Sequence, residues 1–329
     1  MTSTSSPLPS GKTGATSILS LIAMQAPFIA DLQQHYRLDS LQNPAQLAEL
    51  AADQRQQTGI VVTNGSTGLS AVQMDLLPQL RLVCSYGAGF ENIDLAAAAQ
   101  RGIAVTHAPG VNNATVADHA IALMLAIARG LPELDRAVKA GAWLQSRQQR
   151  PTVNGKRLGL LGMGNIGELI ARRAAAFDMQ ISYHTRRPRP ELPYQHVDSV
   201  AALAAASDYL ILACPGGAAT RHLVNREVLQ QLGPQGFLVN IARGSVVDTA
   251  ALMDALHEAR IAGAALDVIE DEPEIPPRAA TLDNLILTPH ISGRSPEAQL
   301  AQHQTLMENI AACLAGAPLK NQLSEGGKA

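Results

Sequence analysis

Residues 157–177 read RLGLL, then Gly162-Met163-Gly164-Asn165-Ile166-Gly167, then ELIARRAAAF. A short apolar run that passes through spaced glycines into a helically spaced stretch constrains the fold more tightly than any other part of the chain. Gly162 is placed to make a tight turn, Gly164 to let the backbone approach a pyrophosphate, and Gly167 to let a helix pack closely on its strand. The helix N-terminus favours negative charge. Run, turn and helix together predict a strand–turn–helix unit that binds a dinucleotide.

Short apolar runs followed by helical stretches recur at 17–23, 59–63, 80–85, 103–107, 157–161, 180–184, 209–214, 236–242, 261–268 and 284–288. This alternation predicts an α/β fold. Runs such as LILAC and FLVNIA are apolar at nearly every position, as strands of a parallel sheet covered on both faces must be. The 329 residues suffice for about two domains of ~150 residues. Across 112–142 the pattern gives way to a long Ala- and Leu-rich helical segment, broken near Gly130 and Pro132. After His290 only one helical stretch follows, at about 296–314, and it is free to pack back on the first domain. The expected organisation is therefore a flexible Ser-, Thr-, Pro- and Gly-rich tail at 1–14, a discontinuous domain at 15–110 and 292–329, and an inserted dinucleotide-binding domain at 111–291.

Charge and cysteine content narrow the function. Twenty-five basic against 28 acidic side chains leave a net charge of -3, which gives no field suited to nucleic acid or an anionic membrane. No apolar run reaches the ~18 residues of a membrane span, and the first residues lack the apolar core of an export signal. Cys84, Cys214 and Cys313 are odd in number and widely spaced, which fits reduced thiols in a cytoplasmic protein and no disulfide or metal framework.

In an NAD site an acidic side chain about twenty residues after the glycines bonds the ribose hydroxyls. Here that place holds Thr185, with Arg186 and Arg187 beside it. A hydroxyl and two guanidinium groups suit a phosphate dianion, so this edge is expected to take the 2'-phosphate of NADPH, with NADH possible.

Three polar clusters each follow a predicted strand: Asn240-Ile241-Ala242-Arg243-Gly244, then Asp267 with Glu270, Asp271, Glu272 and Pro273, then Thr288-Pro289-His290. In an open α/β sheet, ligands bind outside the carboxyl ends of strands, so these clusters can supply one crevice with a carboxylate binder, a proton donor and its orienter. Spacing does not choose among the four acids. Gly65-Ser66-Thr67 and Tyr86-Gly87-Ala88-Gly89 follow two earlier strands and are placed to aim backbone N–H groups at an anionic substrate. Tyr86 and Phe90 are available to line a pocket for a larger substituent. His107, His119, His184, His196, His222, His257 and His303 lack such context and receive no catalytic role, His184 being expected beside the adenosine. Trp143 reads as a packing anchor after the long helix, approach to a partner's active site being the other reading.

These motifs, in this order, resemble the signatures of the D-isomer-specific 2-hydroxyacid dehydrogenases. Ser85 to Asp94 is similar to that family's substrate loop, Thr115-Val116-Ala117-Asp118-His119 to the start of its interdomain helix, and Cys214-Pro215-Gly216-Gly217-Ala218-Ala219-Thr220 to its coenzyme loop. The likeness runs from Val83 to the C-terminus, whereas earlier residues match only in pattern. It implies two Rossmann-like doubly wound parallel-sheet domains, a discontinuous substrate domain and an inserted coenzyme domain. It implies that Arg243 grips the substrate carboxylate and polarises the keto oxygen, that His290 protonates that oxygen, and that Glu272 holds the imidazole. An imidazole can give and recover a proton near neutral pH, in keeping with that role. Asp267 is implied to lie nearer the nicotinamide, and Thr115, Gly162, Gly164, Asn165, Ile166, Gly167, Cys214, Pro215, Thr220 and Ala242 to contact the coenzyme, with the 86–89 loop on the substrate; Ser66 is expected on the substrate from its place after a strand alone.

The expectation is an NADPH-dependent reductase of small 2-keto acids, glyoxylate and hydroxypyruvate being favoured, working as a homodimer. Phenylpyruvate or hydroxyphenylpyruvate is the alternative substrate. A cofactor-sensing, corepressor-like binding protein of the same fold is the rival from another class.

Overall fold

The computed structural model describes residues 16–41 and 43–324, and the expected N-terminal tail lies outside them. The chain divides into two compact units, one running to Asn112 and resuming at Ser295, the other Asn113–Arg294.

The first unit holds a five-stranded parallel sheet in the order β2-β1-β3-β4-β5. Its strands are β1 (Ser17–Ser20), β2 (Arg37–Ser40), β3 (Thr58–Thr63), β4 (Leu82–Ser85) and β5 (Ala104–Thr106). Helices α1 (Ala26–His35), α2 (Ala52–Gln57), α3 (Ala71–Asp75) and α4 (Leu95–Gln100) connect them, and the chain returns as the helix Pro296–Ala315. Alternate strand residues face opposite sides. Ile18, Ile60, Val62 and Leu82 therefore pack with Leu306, Met307 and Ile310 of the last helix, while Leu19, Val61 and Val83 pack with Leu69, Met74 and Leu77. Both faces being covered, β1, β3 and β4 are buried at every position. β2, with the sequence RLDS, escaped the sequence reading because it is a half-exposed edge strand with no apolar run.

The second unit holds a seven-stranded parallel sheet in the order β8-β7-β6-β9-β10-β11-β12. These strands are β6 (Arg157–Leu161), β7 (Gln180–His184), β8 (Gln195–His196), β9 (Tyr209–Leu212), β10 (Phe237–Asn240), β11 (Gly263–Leu266) and β12 (Leu285–Leu287). Its helices are α5 (Asn113–Arg129), α6 (Leu131–Lys139), α7 (Asn165–Ala175), α8 (Val200–Ala205), α9 (Arg226–Leu232) and α10 (Thr249–His257). The expected long helix breaks into α5 and α6 at Gly130, whose φ of 64° is left-handed. Strand order reverses between β6 and β9, and that reversal opens a crevice at the carboxyl ends where a dinucleotide binds in such sheets. Leu158 and Leu160 pack with Ala117, Ala120 and Met124 of α5 and Ile170 and Ala174 of α7. Leu161, Leu210, Leu212 and Leu238 pack with Leu203, Leu229 and Leu252 on the other face. Each such fully buried side chain contributes roughly 1.5–3 kcal/mol. No single helix among the described residues is long and apolar enough to cross a membrane.

Candidate active site

The glycine turn joins β6 to α7. Gly162 has φ of 102°, and a Cβ there would stand 2.7 Å from the Ala213 carbonyl; at Gly167 it would stand 2.4 Å from the Gly162 oxygen. Only glycine fits either place. At Gly164, by contrast, nothing lies within 4 Å of where a Cβ would be. Ser199, Asn225 and Asp248 cap α8, α9 and α10 with side-chain oxygens, whereas α7 begins at Gly164 with no side-chain cap. An uncapped helix start with open space beside Gly164 is a cradle that fits the pyrophosphate of a dinucleotide.

At the end of β7, Arg186 and Arg187 are exposed and Thr185 Oγ1 donates to the Arg187 carbonyl at 2.7 Å, fixing the turn. His184 Nδ1 lies 2.8 Å from the Val197 carbonyl. Arg189, which the sequence reading passed over, folds back so that Nη1 donates to the Met163 carbonyl at 2.7 Å and pairs with Glu168, tying this edge to the glycine turn. In the coenzyme loop, Thr220 Oγ1 donates to the carbonyls of Pro215 and Gly217 at 2.9 and 3.1 Å. Cys214 is half-buried there, and burial pushes its thiol up to about 11. Thr115 lies half-buried in the first turn of α5.

Arg243 follows β10. Asn240, fully buried at the strand end, clamps it from both sides: Nδ2 donates to the Arg243 carbonyl at 3.0 Å and Oδ1 accepts the Ala242 amide at 3.0 Å. Arg243 Nη1 donates to the Ala242 carbonyl at 2.7 Å. The Ala242 amide and carbonyl both take part in this clamp and so help to shape Arg243. Gly244 has no room for any side chain, because a Cβ would fall 1.9 Å from the Ile269 carbonyl. This close approach brings the acidic segment after β11 against the arginine's backbone.

Of the four acids, Glu272 meets the histidine: its Oε2 accepts from His290 Nδ1 at 2.8 Å, while Oε1 accepts the Ile269 amide at 3.1 Å. A carboxylate only accepts, so Nδ1 carries the proton and Nε2 is left for proton exchange. The pair is partly exposed, the side chains being 38% and 33% accessible, so a substrate can reach it. Glu270 instead pairs with His222 at 2.8 Å and Arg221 at 2.7 Å. Asp267 is tied into the turn that carries His290. It is 1% exposed, and its oxygens accept from Thr288 Oγ1 at 2.6 Å and the amides of Ile291 and Ser292 at 2.9 Å each. Its own carbonyl takes the His290 amide at 2.9 Å, holding that residue at a left-handed φ of 50°. His119, set aside in the sequence, reaches Thr288 Oγ1 at 3.2 Å and Asp267 Oδ1 at 3.6 Å. Burial alone would raise the Asp267 carboxyl; hydrogen bonds from His119, Thr288, Ile291 and Ser292 outweigh it and hold the group well below the usual carboxylate range.

In the first unit, the loops after β3 and β4 interlock. Asn92 Nδ2 donates to the carbonyl of exposed Ser66 at 2.8 Å, and a Cβ on Gly65 would stand 2.7 Å from the Gly89 backbone. Tyr86 and Phe90 each pack part of the ring on the apolar clusters of their own unit. Tyr86 packs on the apolar cluster beneath the last helix, its hydroxyl 3.3 Å from the Gln299 carbonyl and its amide bonded to Thr63, and burial pushes its phenol up to about 12. Phe90 packs on the opposite cluster. Gly87, Ala88 and Gly89 remain as the half-buried surface of the loop. Trp143, read as a packing anchor, is 64% exposed instead.

The family model for the D-isomer specific 2-hydroxyacid dehydrogenase NAD binding domain matches residues 121–292. Hydroxyphenylpyruvate reductase of Plectranthus scutellarioides is 38% identical over 306 residues, 93% of this chain and 98% of its own. Glyoxylate/hydroxypyruvate reductase A of Arabidopsis thaliana is 38% identical over 303 residues, 92% and 97% of the two chains. The solved NADPH-dependent glyoxylate/hydroxypyruvate reductase of Sinorhizobium meliloti, in complex with NADP and malonate, superposes with a TM-score of 0.88 at 34% identity, covering 96% of this chain and 98% of that one. The chain belongs to the D-isomer-specific 2-hydroxyacid dehydrogenase family. It is an NAD(P)-dependent oxidoreductase.

Proposed function

We propose that this protein reduces glyoxylate and hydroxypyruvate to the D-2-hydroxy acids with NADPH. The observation that supports this most is the Glu272–His290 contact at 2.8 Å, on the same sheet end as Arg243. Bound NADPH supplies the hydride that the keto carbon takes up. Gly162, Gly164, Asn165, Ile166 and Gly167 hold its pyrophosphate, Thr185, Arg186 and Arg187 its 2'-phosphate, and Thr115, Cys214, Pro215 and Thr220 flank the remainder. Arg243 binds the substrate carboxylate and polarises the keto oxygen, the planar fork giving two parallel donors. His290 donates from Nε2 to that oxygen, and Glu272 stabilises the imidazolium before the proton leaves. Asp267 keeps the His290 turn in place. Ser66, Gly87, Ala88 and Gly89 of the first unit, the substrate domain, offer donors to the carboxylate, and Tyr86 anchors their loop.

NADPH oxidation measured with glyoxylate, hydroxypyruvate, phenylpyruvate and hydroxyphenylpyruvate tests this reading. Highest kcat/KM on the two small acids is expected. The likeness to a hydroxyphenylpyruvate reductase favours the aromatic acids as a second reading. No turnover with any of them, together with tight coenzyme binding, would replace both with a cofactor-sensing binding protein. The protein is further proposed to be a cytoplasmic homodimer. Exposed Leu131, Val138, Trp143 and Leu144 give an apolar surface for a second copy, and the free thiols suit a reducing compartment.

A further inference from the structure

β5 is followed directly by His107, a residue 8% exposed in the first unit. Its ring stands perpendicular to Phe90, with centroids 5.3 Å apart, and Nδ1 lies 3.0 Å from the carbonyl oxygen of Ala88. A carbonyl oxygen only accepts, so Nδ1 bears the proton and donates it. Nε2 is buried and has no partner among the described residues. A buried unpaired nitrogen carries a cost that an apolar side chain in the same space would avoid. What sets this histidine apart is the bond to Ala88.

That bond is one of three. The Gly87 carbonyl accepts the Ala108 amide at 2.8 Å, the Ala88 carbonyl accepts His107, and the Gly89 carbonyl accepts the Ser85 hydroxyl. In a trans peptide the carbonyl of one residue and the amide of the next point to opposite sides. Three successive carbonyls drawn toward buried donors therefore turn the amides of Ala88, Gly89 and Phe90 the other way. None of those amides donates a hydrogen bond among the described residues. Gly87, with φ of 133°, has nothing within 4 Å of where a Cβ would stand. Successive unpaired amides on an open loop form a concave site for an anion.

We propose that His107 is a positioning residue for the substrate carboxylate: its Nδ1–H fixes the Ala88–Gly89 peptide so that the Gly89 amide is presented to the anion. This rests on the proposed reduction of 2-keto acids. Ser85 and Ala108 secure the flanking peptides, and His107 secures the middle one. Among substitutions, asparagine places its amide nitrogen where Nδ1 stands, whereas glutamine places it near Nε2, beyond reach of Ala88.

The test compares His107→Gln with His107→Asn in KM and kcat for glyoxylate, in Kd for NADPH, and in Kd for oxalate measured calorimetrically with NADP+ present. Loss of one neutral hydrogen bond should raise the glyoxylate KM and the oxalate Kd of the glutamine variant about tenfold. Its kcat and NADPH affinity should hold, and the asparagine variant should stay near wild type. Equal KM in the two variants, or a loss confined to kcat, overturns the proposal. A wild type that binds oxalate but reduces no 2-keto acid removes the functional reading and leaves the oxalate comparison to decide this one. Should the glutamine variant fail to fold, His107→Leu, which keeps the apolar contact with Phe90, takes its place with the same expectation.

Discussion

The stem of Arg243 lies where a side chain on residue 216 would stand: a Cβ built on Gly216 falls 2.6 Å from Arg243 Cγ and 3.2 Å from its Cβ. The coenzyme loop and the proposed carboxylate binder thus occupy each other's space. Gly216→Ala should push the guanidinium out of alignment, and a misplacement of about 1 Å costs on the order of 10²-fold in a positioned reaction. Steady-state kinetics should show kcat/KM falling while thermal stability stays near wild type; unchanged kcat/KM would mean that Arg243 shifts without consequence.

His290→Ala should lower kcat by about 10²–10⁴-fold while NADPH still binds, as removal of a positioned general acid does. Lost coenzyme binding would mark a structural histidine.

Glu272 accepts two hydrogen bonds, from the Ile269 amide and from His290 Nδ1. Glu272→Gln must turn its NH2 toward one of those donors and also removes the negative charge beside the imidazolium. A fall in kcat of about 10–100-fold is expected from losing a charge-assisted hydrogen bond. The control is Glu270→Gln, whose carboxylate pairs with Arg221 and His222 instead. A loss as large in the control would show that the effect is not specific to the His290 partner.

Wild type should prefer NADPH over NADH. Arg186 and Arg187 are exposed, so screening reduces the two charge-assisted contacts to on the order of 10²-fold in affinity. Thr185→Asp combined with neutral residues at 186 and 187 should reverse the order, because a carboxylate accepts ribose hydroxyls and repels the phosphate. Comparison of kcat/KM for each coenzyme decides; a triple variant that retains the NADPH preference moves the phosphate site elsewhere.

Asp267→Asn should cost about 1–3 kcal/mol at pH 7, since an amide must leave part of the 288–292 turn unpaired. The native carboxyl titrates below its unfolded value of about 3.9, so its stabilisation is fully present above that value and is lost as pH falls below it. Thermal melts should therefore show the wild-type advantage shrinking below about pH 4. A gap that stays constant to pH 2 would count against an ionised, hydrogen-bonded Asp267.

Interior strands were legible because burial on both faces demands continuous apolar runs. The edge strands β2 and β8 were not, since an edge needs only half a covering and their sequences, RLDS and QH, carry none of that signal. The same limit applies to side chains that act through backbone. Asn240 gave a faint sign, a polar residue at the end of FLVN, and His107 another at the end of AVT. Neither run says which carbonyl the side chain reaches.

By itself the sequence determined the alternation that makes two parallel sheets and the glycine turn of the coenzyme, because these depend on residue type and local spacing, while the likeness of its motifs to the family, not spacing, singled out Glu272 beside Arg243 and His290. Only the tertiary structure decided how Glu272 reaches His290 Nδ1 at 2.8 Å, why Asp267 serves its turn, and where Tyr86, Phe90 and His107 point. Those assignments depend on contacts between strand ends and loops distant along the chain, set by glycines such as Gly216 and Gly244 that let one backbone close on another.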